Sequence, residues 1–153
     1  TKIIVIWVGL LLAAFAYKKW YSEALFLGSN LVLTALLVLL LKNIYQRPRP
    51  SILHLVEEKG FSFPSGHSLA STLVLGSLII IISQHVKNKT ARYCLQGLLV
   101  LGIVTIVVSR VYVGVHYPSD VLGSMILGLA VLQFEYPLYD RLRFQWRFTG
   151  KQK

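Results

Sequence analysis

Apolar residues gather in five blocks along the chain, at Ile3 to Tyr17, Ala24 to Leu41, Leu69 to Ser83, Tyr93 to Ser109 and Val121 to Leu138. Each block approaches the roughly 17–25 residues that a helix rising about 1.5 Å per residue needs to cross about 30 Å of hydrocarbon. Lysines and arginines are confined to the connections between them and to the chain's ends. The pattern predicts an all-α, polytopic transmembrane helical bundle with five visible spans. Because no Ser/Gly-rich linker interrupts the connections, residues 1–153 are expected to form a single membrane-embedded domain. The first block is as short as any and the chain opens at Thr1, which leaves room for a sixth span missing at the N-terminus. A signal peptide is the rival reading of Ile3 to Tyr17. Lys18-Lys19 follows that block and no small-x-small cleavage site precedes a polar start, so a span is preferred.

Composition strengthens this reading. Hydrophobic residues make up 55% of the 153 and charged residues 14%, above the roughly 45–50% apolar content of soluble domains. The net charge of +10 would suit nucleic acid if the bases formed one stripe, but they are scattered between apolar blocks, so no nucleic-acid partner is expected. Cys94, the single cysteine, excludes an intrachain disulfide and is expected to pack in the bundle.

If all five blocks span, connections alternate sides. One side collects Lys18, Lys19, Lys87, Lys89, Arg92, Arg141, Arg143, Arg147, Lys151 and Lys153; the other holds Lys2, Lys42, Arg47, Arg49, Lys59 and Arg110, with Glu57, Glu58 and Asp120. The positive-inside rule puts the first side in the cytoplasm. The tail "RLRFQWRFTGKQK" mixes bases with Phe144, Trp146 and Phe148, which fits either a segment at the headgroup level of an anionic leaflet or a frayed basic end.

Four polar clusters emerge on the outward side: Lys42 with "QRPRP", "FPSGH" at Phe63 to His67, Ser109-Arg110, and "HYPSD" from His116 to Asp120. Ionisable groups at membrane depth are costly and usually functional, and four sites converging on one face ask for a shared ligand. Lys42, Arg49 and Arg110 make that ligand an anion, the guanidinium fork suiting phosphate or carboxylate. Pro64 favours a helix start, Ser65 can cap it, and Gly66 lets the backbone approach, so helix N–H groups point at the same anion, with His67 in the first turn. His116 can serve as nucleophile or base. Pro118 biases Tyr117 to an extended conformation and puts Asp120 in the opening turn of the next helix, where its carboxylate can accept Nδ1–H of His116 and leave Nε2 bare. The plainer reading of Asp120 is a carboxylate favoured by the helix dipole.

Lys42 with six residues before Arg49-Pro50, then Pro64-Ser65-Gly66-His67, then Ser109-Arg110 with five residues before His116 and three more before Asp120, resembles the three-part motif of the type 2 phosphatidic acid phosphatase superfamily, in its integral-membrane branch. The resemblance implies that His116 forms a phosphohistidine, that Asp120 orients it, and that His67 protonates the leaving oxygen and later activates water. It implies that Lys42, Arg49, Ser65, Gly66 and Arg110 hold the phosphoryl oxygens, and that Arg47 could assist. The implied activity is hydrolysis of a lipid phosphate or diphosphate (phosphatidylglycerol phosphate, phosphatidic acid or undecaprenyl diphosphate) in a bacterial plasma membrane, with the site on the extracytoplasmic face. Family members usually have six spans.

Phosphoryl transfer mainly needs in-line positioning and stabilised charge, which three cations and helix N–H groups can supply. No carboxylate or His/Cys set has metal spacing, and no G-x-x-x-x-G-K-[ST] loop occurs, so neither metal nor other cofactor is expected. A non-catalytic lipid-phosphate binder or transporter is the alternative, for which the bases would suffice and His67, His116 and Asp120 would be superfluous. A vanadate-dependent haloperoxidase would have a similar pocket in a soluble protein, against the five blocks. His54 and His85 are expected to be solvated. Gly97, Gly102, Gly123 and Gly128 are expected at close helix contacts, and Ser51 to Phe61 as an amphipathic segment at the surface, gating lipid entry.

Overall fold

The computed structural model describes residues 2–51, 55–56 and 58–152, without the side chains of residues 2–5 and 7. Five helices follow one another: α1 (Lys2–Tyr17), α2 (Tyr21–Tyr45), α3 (Gly66–His85), α4 (Lys89–Tyr112) and α5 (Pro118–Phe148). No strand occurs among the described residues. The local chemistry explains the boundaries. Gln46 ends α2 in the left-handed region (φ 44°), and the two Arg-Pro pairs that follow bar further helix. Ser65 caps α3, its Oγ accepting from the Ser68 backbone N–H, and the Asn88 side chain accepts from Ala91 N–H at 3.0 Å to start α4. Tyr117 is extended (ψ 151°) and Pro118 occupies the first position of α5.

Helices α2 to α5 are long and apolar enough to cross a membrane. With its 16 residues, α1 is about 24 Å long and is a shorter apolar helix beside these four. Helix α5 carries the basic, aromatic tail onward as helix to Phe148, past Pro137, and the tail is therefore not frayed. Gln152 then folds back onto α2, its Oε1 accepting from Ser22 N–H at 2.9 Å and its Nε2 donating to Ser22 Oγ at 2.8 Å.

Helix α3 is the central element, packed against α2, α4 and α5. Half of its apolar stretch is buried against 6% of that of α4, which leaves α4 facing the surroundings. Cys94 on α4 is exposed, contrary to the expected packing role. Buried hydroxyls on α3 turn inward to their own helix, Thr72 Oγ1 donating to Ser68 O at 2.8 Å and Ser77 Oγ to Leu73 O at 2.6 Å. Small residues let α3 and α5 come close. A Cβ on Gly128 would meet Thr72 Cγ2 at 2.8 Å, and one on Gly76 would meet Leu132 Cδ1 at 2.5 Å. Larger residues at such a contact typically cost about 1–3 kcal/mol. Gly102 and Gly123 also approach neighbours, whereas Gly97 has nothing within 4 Å and does not serve packing.

This close contact sets the two helix starts side by side. Ser65 N–H, at the head of α3, donates to Ser124 Oγ of α5 at 2.9 Å, and Ser124 Oγ donates to Asp120 O at 2.6 Å. At the other end of the bundle, fully buried Glu23 of α2 accepts from Ser22 Oγ at 2.9 Å, from Tyr139 OH of α5 at 3.4 Å, and lies 2.9 Å from His85 Nε2 of α3. Trp20 stacks on the His85 ring at 3.9 Å between centroids. His85 is thus a partnered, mostly buried histidine and not the solvated one expected; its carboxylate partner is 62 positions away, so no local spacing announces it. His54 lies outside the described residues.

Candidate active site

The chain leaving α2, the start of α3, the end of α4 and the α4–α5 connection meet at one end of the bundle. Lys42, Arg49, Gly66, His67 and His116 line one cavity of about 880 Å³ there. One wall of it is largely apolar, formed by Leu31, Val38 and Leu39 of α2 and Ala70 of α3. A second cavity, of about 450 Å³ between α3, α4 and α5, is lined by groups such as Ile79, Ile103 and Leu132, and its lining includes no acidic or basic side chain.

Arg49 clamps two connections together. Its Nη1 donates to Val115 O at 2.8 Å, its Nε to Gly60 O at 3.1 Å and its Nη2 to Lys59 O at 3.2 Å. Arg110, at the last turn of α4, is oriented by its own helix, its Nε donating to Ser109 Oγ at 3.3 Å. Ser65 is fully buried and spends its Oγ on capping α3 and on Ser68 Oγ at 2.9 Å. It is therefore behind the cavity wall, and what it presents to an anion is the helix start it fixes. Asp120 is likewise fully buried behind His116.

The orientation of His116 departs from the expected direct pair. Asp120 Oδ2 is 3.9 Å from His116 Nδ1, beyond hydrogen-bond reach. The Ser62 hydroxyl stands between them. It donates to Asp120 Oδ2 at 2.5 Å, and its oxygen lies 3.5 Å from Nδ1. A hydroxyl has one proton; with that proton committed to Asp120, the oxygen can only accept, so the arrangement suits a proton on Nδ1 and leaves the Nε2 lone pair facing the cavity. Ser62 was not singled out from the sequence, where one more serine in "GFSFPSGH" carries no signal.

Asp120 is further held by Arg47 Nη1 at 2.5 Å and by Tyr117 N–H, which donates to Oδ2 at 3.1 Å. The Arg47 guanidinium sits over the Tyr117 ring, 4.2 Å from its centroid, and donates to Ser119 Oγ at 2.9 Å. The two Arg-Pro pairs therefore divide the work. Arg49 faces the cavity, and Arg47 braces the carboxylate behind His116. Burial, and secondarily the positive charge of Arg49, push the His116 pKa down to about 4, against the opposing pull of Glu58, Asp120 and the Ser62 backbone. The imidazole is neutral at neutral pH.

A bundle of membrane-crossing helices that closes one end around two histidines and three cations is the framework of a membrane protein handling an anion. The chain belongs to the PAP2 superfamily, which its sequence matches over residues 23–144, and it is a multi-pass membrane protein. It is 37% identical over 122 residues to Phosphatidylglycerophosphatase B of Bacillus subtilis (strain 168), covering 75% of this chain and 57% of that protein. It is 31% identical over 147 residues to Undecaprenyl-diphosphatase BcrC of the same organism, covering 92% and 71% respectively. Its fold is similar, at a TM-score of 0.83 and 26% identity, to the crystal structure of a transmembrane PAP2-type phosphatidylglycerolphosphate phosphatase from Bacillus subtilis, covering 92% of this chain and 71% of that one. The chain thus spans little more than half the length of the first of these relatives.

Proposed function

We propose that this protein hydrolyses the phosphate ester or diphosphate of a membrane lipid through a phosphohistidine on His116. The observation that carries the reading is the cavity itself, which joins an anion seat flanked by Arg49, Arg110, His67 and His116 to an apolar wall along α2 and α3. Such a shape fits an amphiphile with its phosphate among the bases and its tail against the helices. Relatives named for phosphatidylglycerol phosphate and undecaprenyl diphosphate point the same way.

In this mechanism Nε2 of neutral His116 attacks phosphorus. The phosphorus–oxygen bond to the lipid breaks as protonated His67 gives its proton to the leaving oxygen. Lys42, Arg49, Arg110 and the N–H groups at the start of α3 hold the phosphoryl oxygens as charge builds on them. Neutral His67 then takes a proton from water as it attacks phosphorus, the phosphorus–nitrogen bond breaks, and inorganic phosphate leaves with His116 restored. Ser62, Asp120 and Arg47 keep the ring aimed. Positive-inside charge distribution supports placing the site on the extracytoplasmic side of a plasma membrane.

Phosphate release by the purified protein in detergent, across lipid monophosphates, lipid diphosphates and tail-free glycerol 3-phosphate, tests this. Each buried methylene contributes about 0.8 kcal/mol, so even four should raise kcat/KM by about 200-fold over the tail-free ester. Equal rates with and without a tail would refute a lipid substrate, and binding without release would favour a lipid-phosphate binder. The pH profile gives a second check. The nucleophile must be neutral, and with a pKa of about 4 His116 stays so through mildly acid pH. After correction for the substrate's own ionisation, the acid limb of kcat/KM should fall near pH 4, well below the ordinary histidine value of 6.5. A limb at 6.5 or above would contradict the assignment.

A further inference from the structure

The anion seat already has a carboxylate in it. Glu58 Oε2 lies 3.1 Å from Arg49 Nη2 and 3.8 Å from His116 Nε2, while Oε1 lies 3.6 Å from Arg110 Nη1 and 3.8 Å from His67 Nδ1. Two arginines and two imidazoles from four parts of the chain converge on one side chain, and they are groups that the proposed mechanism sets around the phosphoryl group, the arginines on its oxygens and the imidazoles as nucleophile and acid. Glu58 also lines the cavity, with 23% of its side chain exposed. Its place is built by the backbone that follows it. Arg49 ties down the carbonyls of Lys59 and Gly60, Gly60 takes a positive φ of 84° that favours glycine, and Ser62 N–H donates to Arg47 O at 2.8 Å. Ser62 and Arg47, which pin this connection, also stand behind the histidine, at Asp120.

We infer that Glu58 is a resident counter-ion of the phosphoryl seat, and that its competition with bound anions sets the selectivity for phosphates that carry a lipid tail. This rests on the proposed phosphatase reading and deepens it. Two anions cannot share the seat without strong repulsion, so an incoming phosphoryl group must turn the Glu58 side chain out. A lipid phosphate does so with the help of its tail on the apolar wall. Inorganic phosphate, the product, has only the charged contacts that Glu58 contests, and it is expelled. The carboxylate thus acts as a repulsive element against tail-free anions, a common way of obtaining specificity from a site whose attractive contacts do not discriminate. In the substrate-free protein it also keeps four buried or half-buried groups, Arg49, Arg110, His67 and His116, paired.

The test is equilibrium binding of radiolabelled inorganic phosphate to the purified full chain in detergent at pH 7, comparing wild type with Glu58→Gln and Arg110→Gln. Glutamine keeps the shape and removes the charge. Glu58→Gln is expected to bind phosphate about tenfold more tightly, with the KM for a lipid phosphate lowered by a clearly smaller factor so that the preference for a tailed phosphate narrows, while Arg110→Gln binds phosphate more weakly. Phosphate binding by Glu58→Gln equal to or weaker than wild type, with Arg110→Gln still weakened, would overturn the role of Glu58 and leave the anion seat intact. Unchanged binding in Arg110→Gln would overturn the seat and the inference with it.

Discussion

Replacing His116 by alanine is expected to abolish turnover, lowering phosphate release by about 10³–10⁴-fold or more. The side chain is almost fully buried, with its Nε2 directed at the point where the carboxylate of Glu58 lies and its Nδ1 backed by Ser62 and Asp120. No neighbouring group can substitute. His67, 34% exposed, reaches the same seat with Nδ1 3.8 Å from Glu58 Oε1 and is already committed as acid and base, while Lys42, Arg49 and Arg110 are charged and offer no lone pair. Substrate binding should persist in the variant, because the cations and the apolar wall remain. Single-turnover phosphate release together with retention of a lipid phosphate on the purified variant separates the two. Wild-type turnover in His116→Ala would remove the nucleophile from the mechanism.

His67→Gln is expected to cost about 10²–10⁴-fold with a lipid phosphate, the usual contribution of a positioned acid or base. The loss should depend on the leaving group. An aryl phosphate with an acidic phenol departs without protonation, so the first step recovers in this variant. The second step has no such relief, since water still needs a base. Phosphoenzyme should therefore accumulate with the aryl substrate, and phenol release should run ahead of phosphate release. An equal loss with lipid and aryl phosphates, with no accumulation, would show that His67 acts through binding alone.

The sequence disclosed a great deal of this protein because its main constraints are local. Uninterrupted apolar blocks can only satisfy their backbone groups in hydrocarbon as helices, and the helix starts at Pro64-Ser65-Gly66 and Tyr117-Pro118 are written in residues whose capping and dihedral preferences act over a few positions. Motif spacing likewise put Lys42, Arg49, His67, Arg110 and His116 near one anion. What escaped was non-local. Ser62 gains meaning only because α3 and α5 pack closely enough, at Gly128 and Gly76, to bring Asp120 beside it. Arg47 and Arg49 look interchangeable in "QRPRP", and only the fold sends one to Asp120 and the other to the cavity. Glu58 reads as one of two acidic residues on a solvated connection until the four groups around it are seen. His85 is partnered for the same non-local reason, Glu23 lying on another helix. The segment expected to gate lipid entry includes Ile52, Leu53, His54 and Glu57, which lie outside the described residues.

The central claim is the covalent intermediate on His116, and trapping it is the most direct test. His67→Gln protein is mixed with an aryl phosphate carrying radiolabelled phosphorus, quenched in base during the phenol burst, and mapped by mass spectrometry. One phosphoryl group on His116, stable to base, lost in acid and absent when His116 is also alanine, is the expected result. Label on another residue, or a full burst of phenol from protein that carries no phosphoryl group, would contradict it.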